Sequence, residues 1–359
     1  MAIRKIAIIG LGLIGGSIAK SLKSTASRTI ISAFDKEKVL KQAKSDFVID
    51  MALTSVDEVI SSDLIFICLP VDLTLYTLEK LAPQLKPNQI ISDVCGVKGI
   101  LQQKWSSLQS KGIFIGGHPM TGKEKGLYEN SDPLLFENSV YIISDTPKDF
   151  PGKEHFLKII ESFGARITFL NPFVHDKLVS NVSHLPQLLS VSLVNTAGKN
   201  EDGINFMDFA AGGFKDMTRI ASSNFNIWEP VLKENKTEIL STLEAFAEEM
   251  NQIKKLIVND NYNDIYLKFE NARKKRDEIP ANTKGFLSQL HDIYIFVRDE
   301  PGVISKISTA LYKRGINIKD IELLKIREGT GGTFRLSFDS EKDAKSAELI
   351  MRGLGFDIK

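Results

Sequence analysis

Residues 5–35 read KIAIIGLGLIGGSIAKSLKSTASRTIISAFD, and this stretch decides the fold of the N-terminal part of the chain. Ile6–Ile9 is a short apolar run, typical of a strand that is buried on both faces. The turn Gly10-Leu-Gly12-Leu-Ile-Gly15 follows it directly and opens a helical pattern. In such a turn the first glycine allows the sharp bend, the second lets a pyrophosphate approach the backbone, and the third lets helix and strand pack closely. The stretch therefore predicts a strand–turn–helix unit that binds a dinucleotide.

An acidic residue ends the second strand of this unit. Asp35 follows Ile30–Phe34 and stands 20 residues after Gly15, where a carboxylate can accept hydrogen bonds from a ribose 2′-hydroxyl and would repel a 2′-phosphate. We therefore predict NAD rather than NADP as the cofactor; the alternative is a glycine-rich turn with Asp35 as a helix cap. The predicted cofactor contacts are Gly10, Gly12, Leu13, Ile14, Gly15, Asp35, Leu69 and Pro70.

The pattern of apolar residues changes twice along the chain and predicts three domains. Up to residue 170, short apolar runs alternate with helical patterns, which predicts a Rossmann-type doubly wound parallel sheet. Residues 171–280 have helical spacing almost throughout and predict an all-α domain for substrate binding and dimerisation. A basic segment with Pro280 and Gly285 indicates a boundary, with a linker at 281–289. Residues 290–359 show the order β-α-β-β-α-β, a split βαβ unit. The predicted strands of the sheet are Ile6–Ile9, Ile30–Phe34, Leu64–Leu69, Ile90–Ser92, Phe114–Ile115 and Val140–Ile143.

The composition excludes several classes of function. The chain has 359 residues and a formal net charge of +1, which argues against a nucleic-acid partner or a polybasic membrane surface. Its two cysteines cannot build a disulfide scaffold or a four-thiolate zinc site. No histidine, cysteine and carboxylate cluster has metal-ligand spacing, so we predict no metal. Since no targeting or membrane segment is evident, we expect a cytoplasmic protein.

Two groups of residues have the character of a catalytic site. His118, in GGHPMTG, follows a predicted strand at the edge where ligands bind in doubly wound folds, so acid–base chemistry is expected of it. Lys215 and Arg219 are four residues apart on a predicted helix, and such a pair of cations suits a dianionic ligand. Apolar neighbours such as Met217 suggest that this face is partly shielded.

The other histidines and the cysteines carry weaker signals. His155 and His175 lie at polar helix starts and are expected at the surface. His184 is as consistent with a packed histidine that has one backbone hydrogen bond as with a functional one. Ser183 and Gln187 are also four apart, beside a predicted kink at Pro186. Cys68 and Cys95 are expected to be small buried thiols, with oxidation of Cys95 as the less favoured alternative.

Several motifs of the chain together resemble those of a known family. GLGLIGGS, SDVCGVKG, GGHPMTGKEKG, SHLPQ and GGFKDMTRIAS occur in the order and spacing of the prephenate dehydrogenase family, and DEPGVISKISTALYKRGINI is similar to an ACT domain. The resemblance implies NAD-dependent oxidation and decarboxylation of prephenate to 4-hydroxyphenylpyruvate on the route to tyrosine. It implies that His118 is the base at the ring hydroxyl and Arg219 the main carboxylate binder. It places Ser183, Lys215 and Trp228 in the pocket and Glu124 at its rim.

Two departures from the family pattern leave parts of this interpretation open. Where the family often has DVGSVK, this chain has Cys95 and Gly96, so no serine hydroxyl can orient His118 and water or another group must do so. Where the family often has HLPH, this chain has Gln187, which can donate a hydrogen bond to a carboxylate but cannot become cationic near neutral pH. The choice between prephenate and arogenate therefore stays open.

The C-terminal unit is expected to regulate the enzyme. The loop before its first helix can hold an amino acid, and the resemblance implies a site near Pro301, Gly302, Val303 and Asn317, with L-tyrosine as the effector. The alternative is a purely structural dimerisation module. Long amphipathic helices such as Ile227–Val258 exceed what one chain can cover and predict a homodimer.

Two other functions are weighed against this one. The first is a catalytically lapsed NAD-binding amino-acid sensor, which Gly96 and Gln187 keep open. The second is a beta-hydroxyacid dehydrogenase with Lys177 or Lys215 as the catalytic lysine, although that hypothesis leaves the GGHP motif unexplained.

Overall fold

The computed structural model describes residues 2–25, 29–123, 126–144, 150–278, 290–298, 300–327 and 331–358. Its backbone contacts divide the chain into two compact units, Met1–Phe269 and Glu270–Lys359. Within the described residues, no helix combines the length and the apolar character that crossing a membrane requires.

The first unit is built on an eight-stranded sheet of order β3-β2-β1-β4-β5-β6-β7-β8. Its strands are β1 (Lys5–Ile9), β2 (Ile30–Phe34), β3 (Met51–Ala52), β4 (Leu64–Ile67), β5 (Ile90–Asp93), β6 (Ile113–Pro119), β7 (Val140–Ser144) and β8 (Arg166–Leu170). The helices of this part are α1 (Leu13–Thr25), α2 (Glu37–Ser45), α3 (Val71–Leu81), α4 (Gly99–Ser107) and α5 (Lys153–Ser162). The predicted Rossmann-type sheet is confirmed, and β1 to β6 run parallel.

The edge of the sheet differs from the simple parallel prediction. β7 pairs antiparallel with β6, with His118 opposite Ile142, and β8 is parallel to β7. A parallel neighbour needs a helical crossover, whereas the described residues between β6 and β7 contain only the short 3₁₀ turn Tyr128–Asn130. β8 was not predicted because its side chains are half-buried or exposed, so the strand lacks a continuous apolar run.

Alternate side chains of the central strands enter two apolar layers, one on each face of the sheet. Ile6 and Ile8 pack in the layer that contains Ile18 of α1 and Phe156 of α5. Ala7 and Ile9 pack in the opposite layer, which contains side chains of α3 and α4 such as Leu78 and Leu101. Burial on both faces explains why these strands read as nearly uninterrupted apolar runs.

The rest of the first unit is helical apart from one two-stranded hairpin, β9 (Asn200–Glu201) with β10 (Ile204–Asn205). The helices are α6 (Pro172–Val179), α7 (Leu185–Ala197), α8 (Gly212–Thr218), α9 (Phe225–Glu234), α10 (Lys236–Val258) and α11 (Tyr262–Asp277), the last of which crosses the division between the units. Asn171 caps α6 by accepting from the N–H groups of Phe173 and Val174. A π-helical turn, Ser180–His184, joins α6 to α7.

The second unit contains the predicted β-α-β-β-α-β order, which is confirmed. Its elements are β11 (His291–Val297), α12 (Val303–Tyr312), β12 (Asp320–Arg327), β13 (Gly331–Phe338), α13 (Glu341–Gly353) and β14 (Asp357–Ile358). The antiparallel sheet has the order β12-β13-β11-β14. Alternate residues of β11, such as Ile295, are buried against Ile307 of α12 and Met351 of α13, so one face of the sheet is covered by helices.

Candidate active site

The glycine-rich turn between β1 and α1 has the shape of a phosphate cradle. Gly10 has φ +91°, and a Cβ there would lie 2.5 Å from the carbonyl oxygen of Cys68. A Cβ at Gly15 would overlap the carbonyl oxygen of Gly10, so helix and strand pack too closely for any side chain. A Cβ at Gly12 would meet nothing within 4 Å. The backbone at Gly12 therefore borders open space at the N-terminus of a helix, where a pyrophosphate is favoured.

The neighbouring predicted cofactor contacts lie around this turn. Leu13 and Ile14 form the first turn of α1 and are half-buried. Leu69 and Pro70 join β4 to α3, and the Leu69 side chain would be 2.9 Å from a Cβ at Gly10. The structure thus brings these four residues to the carboxyl edge of β1 and β4.

Asp35 ties the end of β2 to the glycine-rich turn. Its Oδ2 accepts the Leu11 N–H at 2.5 Å and its Oδ1 accepts the Lys36 N–H at 2.5 Å. The N-cap of α2 is Lys36, without a side-chain cap bond, so Asp35 does not serve as the cap of that helix. Each carboxylate oxygen has a second lone pair, and the half-buried side chain can still accept a ribose hydroxyl. The residues present therefore fit NAD.

His118 lies at the end of β6, half-buried, in a chain of hydrogen bonds that ends on a carboxylate. Its Nδ1 is 2.8 Å from Nε2 of His175, and His175 Nδ1 is 2.8 Å from Oδ1 of Asp176. The Asp176 carboxylate also accepts the N–H groups of Lys98 and Gly99, each at 2.7 Å. The sheet domain and the first helix of the all-α part meet at this chain.

The prediction that His175 lies at the surface is wrong, because its side chain is completely buried. The buried positions of α6 are Pro172, His175, Asp176 and Val179, which is the i, i+3, i+4, i+7 spacing of one helix face. That spacing is a signal that sequence reasoning missed, since two polar residues occupy the middle of the face.

Burial sets the charge state of the two hydrogen-bonded histidines. Removal from water lowers the pKa of His118 well below its usual value, and nearby His175 and Lys98 lower it further. Burial also lowers the pKa of His175, although the hydrogen bond to Asp176 acts in the opposite direction. Both rings are therefore neutral near pH 7, and His118 can act as a proton acceptor.

A buried ion pair supports the loop that faces His118. Lys98 Nζ contacts the Asp93 carboxylate, and both side chains are buried. Asp93 also accepts the N–H of Cys95 at 2.8 Å and of Gly117 at 3.2 Å, which fixes the end of β5 against β6. A Cβ at Gly96 would be 3.8 Å from His118 Nε2. Gly96 thus lies beside Nε2 of His118, and the side chain hydrogen-bonded to the other nitrogen of this ring is that of His175.

The π turn brings further residues towards this cluster. His184 is buried, its Nδ1 is 3.2 Å from Nδ2 of Asn235, and its ring meets Trp228 edge-on at 5.8 Å between centroids. Its hydrogen-bond partner is thus the Asn235 side chain rather than the expected backbone group. Burial lowers the pKa of His184 to about 4. Ser183 and Trp228 are half-buried, so both side chains keep some contact with solvent.

The predicted carboxylate binders occupy the more exposed side of the helical part. Lys215 lies on α8 and Arg219 begins the 3₁₀ turn that follows it, and both are exposed. Met217, expected to shield this face, is 68% exposed. Gln187 is buried, and its Nε2 donates to the carbonyl oxygen of Ile220 at 3.0 Å. Gln187 is therefore bonded to the turn that carries Arg219.

The remaining predicted residues divide between described and undescribed parts of the chain. Glu124 lies outside the described residues. In the second unit, a cavity of about 390 Å³ is lined by described residues that include Gly302 and Val303, whereas Pro301 and Asn317 do not line it. Gly302 has φ +87° and precedes the first turn of α12.

The cysteines and possible metal ligands add no further chemistry. Burial raises the pKa of the Cys68 thiol well above its usual value and that of Cys95 to about 12, so both are protonated and poorly reactive at neutral pH. Over the described part of the chain, no three His, Cys, Asp or Glu side chains are grouped to hold a metal ion.

Comparison with protein-family profiles gives three matches that together span most of the chain. The profile described as prephenate dehydrogenase, nucleotide-binding domain, matches residues 18–169. The profile for the prephenate dehydrogenase dimerization domain matches residues 171–271, and an ACT domain profile matches residues 291–352.

Individual relatives agree with these matches. A prephenate dehydrogenase of Bacillus subtilis (strain 168) is 33% identical over 349 residues, which cover 96% of this chain and 94% of the relative. The crystal structure of prephenate dehydrogenase from Aquifex aeolicus, with hydroxyphenyl propionate and NAD+, has a TM-score of 0.72 and 29% identity, covering 78% of this chain and 99% of that one. An arogenate dehydrogenase from Synechocystis has a TM-score of 0.67 and 29% identity, covering 76% of this chain and 99% of that one.

Proposed function

The chain belongs to the prephenate dehydrogenase family, and from this premise we propose that it converts prephenate, with NAD, to 4-hydroxyphenylpyruvate and CO₂, with His118 as the base. The observation that carries the proposal is the neutral His118 at the end of β6, on the sheet that also carries the glycine-rich turn. The intact hydrogen-bond chain behind His118 speaks against a lapsed sensor. Lys177 and Lys215, the two candidate lysines of the beta-hydroxyacid alternative, are both exposed, and that alternative gives His118 no role.

The reaction needs a proton acceptor at the ring hydroxyl and an open path to it. A Cβ at Gly96 would lie 3.8 Å from His118 Nε2, so the absence of a side chain at Gly96 leaves room beside this nitrogen. As the hydroxyl proton passes to Nε2, the C–H bond at the same ring carbon breaks, and the bond to the ring carboxylate then breaks to release CO₂. The electrons of that bond make the ring aromatic, and His118 returns the proton to the phenolate oxygen. When bound along the glycine-rich turn, NAD supplies the hydride acceptor.

The two carboxylates of prephenate require cations outside the buried cluster. We assign this role to Arg219, which can bind a carboxylate through two parallel hydrogen bonds, and to Lys215 one turn earlier. Ser183, Gln187 and Trp228 complete the proposed pocket, and the resemblance to the family implies a role for Glu124 as well. The proposed domain division is 1–170 for NAD, 171–280 for substrate and dimerisation, and 290–359 for regulation.

The test is NADH formation from prephenate by the full chain. We expect turnover in the wild type and a fall in kcat of about 10²–10⁴-fold in His118→Asn, with NAD affinity retained, because a general base contributes that factor. His155→Asn is the matched control, since His155 accepts the N–H of Ile3 away from the cluster. Folded wild-type protein without turnover of prephenate or arogenate would end the proposal.

A second substrate has its own support. The structure is similar to an arogenate dehydrogenase from Synechocystis, and Gln187 stands where the family pattern HLPH has its second histidine. Arogenate differs from prephenate in carrying an amino group beside the side-chain carboxylate. Comparing kcat/KM for the two substrates decides between them; a ratio that favours arogenate would replace prephenate in the proposal without changing the role of His118.

For the second unit we propose an amino-acid effector, L-tyrosine, bound in the cavity at the start of α12. Its lining includes Val303 and Ser305, beside the left-handed Gly302. Ser305→Leu would fill the cavity, whereas Ser308→Leu adds the same bulk one turn later, outside the cavity lining. Calorimetry with L-tyrosine should show binding to the wild type and Ser308→Leu and loss in Ser305→Leu. Equal binding of L-tyrosine by both variants would mean that the effector binds at another place.

We further propose a cytoplasmic homodimer formed through the helical part. Exposed apolar side chains cluster along the end of α10 and the start of α11, with between 53% and 72% of each exposed: Ile257, Val258, Tyr262, Tyr266, Leu267 and Phe269. Apolar area of this extent ordinarily marks an interface, and the profile matching this region is that of a dimerization domain. Sedimentation should show a dimer that Leu267→Asp dissociates, while Phe47→Asp, on the sheet domain, leaves it intact; a monomeric wild type would contradict this.

A further inference from the structure

The Asp176 carboxylate is surrounded by hydrogen-bond donors. Backbone N–H groups of Lys98 and Gly99 donate to its two oxygens, and His175 Nδ1 lies 2.8 Å from Oδ1. Backbone amides can only donate, so both oxygens act as acceptors here, and an ionised carboxylate has no hydrogen to donate. The proton between Asp176 and His175 therefore belongs to Nδ1 of His175.

This assignment fixes the next proton along the chain. A neutral imidazole carries its hydrogen on one nitrogen only, so His175 with a proton on Nδ1 has a lone pair on Nε2. That lone pair faces His118 Nδ1 at 2.8 Å, and a hydrogen bond of this length needs a donor. His118 must then carry its hydrogen on Nδ1, and its Nε2 is left with a lone pair towards Gly96.

The surroundings of the two rings favour this arrangement over a charged one. The side chains that influence His118 electrostatically are His175, His184 and Lys98, the last paired with buried Asp93. Lys98 and the burial of both rings disfavour an imidazolium at His118 and at His175. With neither ring charged, the position of the hydrogen on each ring decides whether Nε2 of His118 is an acceptor or a donor.

We propose that His175 and Asp176 are positioning residues that hold His118 in the tautomer with hydrogen on Nδ1, so that Nε2 is ready to accept the substrate proton. The role of this tautomer in turnover rests on the proposed function, whereas the tautomer itself does not. In this chain the pair acts from the Nδ1 side of the ring, because Gly96 offers no hydroxyl on the Nε2 side.

Two substitutions of His175 separate positioning from packing. The amide of glutamine reaches about as far as Nε2 of histidine, so His175→Gln retains an acceptor for His118. The amide of asparagine reaches only as far as Nδ1, so His175→Asn keeps a contact with Asp176 and loses the one with His118. Loss of the correct tautomer in a serine-protease triad costs about 10⁴-fold in kcat, and we expect at least about 10-fold in His175→Asn, with KM for prephenate little changed and most of kcat restored in His175→Gln.

The tautomer is measured directly by long-range ¹H–¹⁵N NMR of the full chain with labelled histidine, with the His118 signals assigned from their loss in His118→Asn. We expect a protonated Nδ1 and an unprotonated Nε2 in the wild type and in His175→Gln, and a mixture of tautomers in His175→Asn. A proton on Nε2 in the wild type overturns the proposal even if a variant fails to fold, as does a His175→Asn enzyme with an unchanged tautomer and kcat. If the wild type turns over neither substrate, the proposed function fails, and the spectrum still decides the tautomer.

Discussion

The buried His184 should make the folded state sensitive to acid, and the size of the effect can be calculated. Burial holds its folded-state pKa at about 4, whereas an unfolded chain titrates near 6.5. Above pH 6.5 the ring is neutral in both states and ionisation contributes nothing. Below pH 6.5 the unfolded chain takes up a proton that the folded chain refuses, so stability falls until the pH reaches the folded pKa. At pH 5 the loss amounts to about 2 kcal/mol.

The variant His184→Asn isolates the contribution that ionisation of His184 makes to stability. Asparagine places its oxygen near the position of Nδ1 and can still accept from Asn235, but it does not titrate. The contact with Trp228 is lost at every pH, so the variant starts less stable at pH 7. Between pH 7 and pH 5 the wild type should then lose about 2 kcal/mol more than the variant, which narrows the gap between their Tm values by about 3 °C.

The assay is thermal unfolding of both proteins at several pH values between 7 and 4.5, followed by circular dichroism. Asp176 and His175 also act on His184 electrostatically and are the same in both proteins. His155→Asn serves as the control for removing a histidine from outside the cluster. A gap that stays constant over this range would refute the reasoning, because it would mean that the ring is protonated as easily in the folded state as in the unfolded one.

Three further outcomes are expected. Gly15→Ala should lower Tm and abolish NAD binding, because its Cβ overlaps the Gly10 carbonyl. Gly12→Ala should fold normally and weaken only NAD binding. Thermal unfolding and NAD calorimetry of both variants test this, and equal losses of Tm would contradict it. Asp35→Asn should reduce the preference for NAD over NADP in kcat/KM by at least about 10-fold, since the repulsion of a 2′-phosphate is removed, and an unchanged ratio would count against Asp35. Gln187→Ala should raise KM for the substrate more than it lowers kcat in steady-state kinetics, because the carbonyl of Ile220 loses its donor and the turn that carries Arg219 loosens; an effect on kcat alone would contradict this.

Local sequence was sufficient wherever the physical cause is local. The glycines of the turn are required by contacts with residues within the same strand–turn–helix unit and the adjoining strand, so their spacing alone predicted the backbone observed at Gly10 and Gly15. The alternation of buried and exposed residues along β11 likewise follows because helices cover only one face of its sheet. The place of His118 at the end of β6 could be predicted because the apolar run Phe114–Ile115 comes shortly before it.

What could not be predicted depends on contacts between distant parts of the chain. Asp176, next to His175, accepts from the backbone of residues 98 and 99, which lie 78 and 77 positions away, and no local pattern predicts such a contact. The amide of Gln187 donates to the carbonyl oxygen of Ile220, 33 residues later, a contact that the sequence does not indicate. β7 is antiparallel to β6 because the described residues between these strands contain no crossover helix. In a sequence, the lack of a helix is a weaker signal than an apolar run.

The π turn at Ser180–His184 has a consequence for how the two halves of the site are aligned. In a regular helix of 3.6 residues per turn, residue 184 would be rotated by about 80° away from residue 176. The wider turn rotates less per residue, and the amide of Asn235 reaches both the Asp176 carbonyl and the His184 ring. Deleting one residue here, such as the exposed Val182, would leave the two groups seven positions apart, and a regular helix keeps such a pair within about 20° of each other. The π turn thus accommodates one additional residue between Asp176 and His184 while the two stay on one side of the helix.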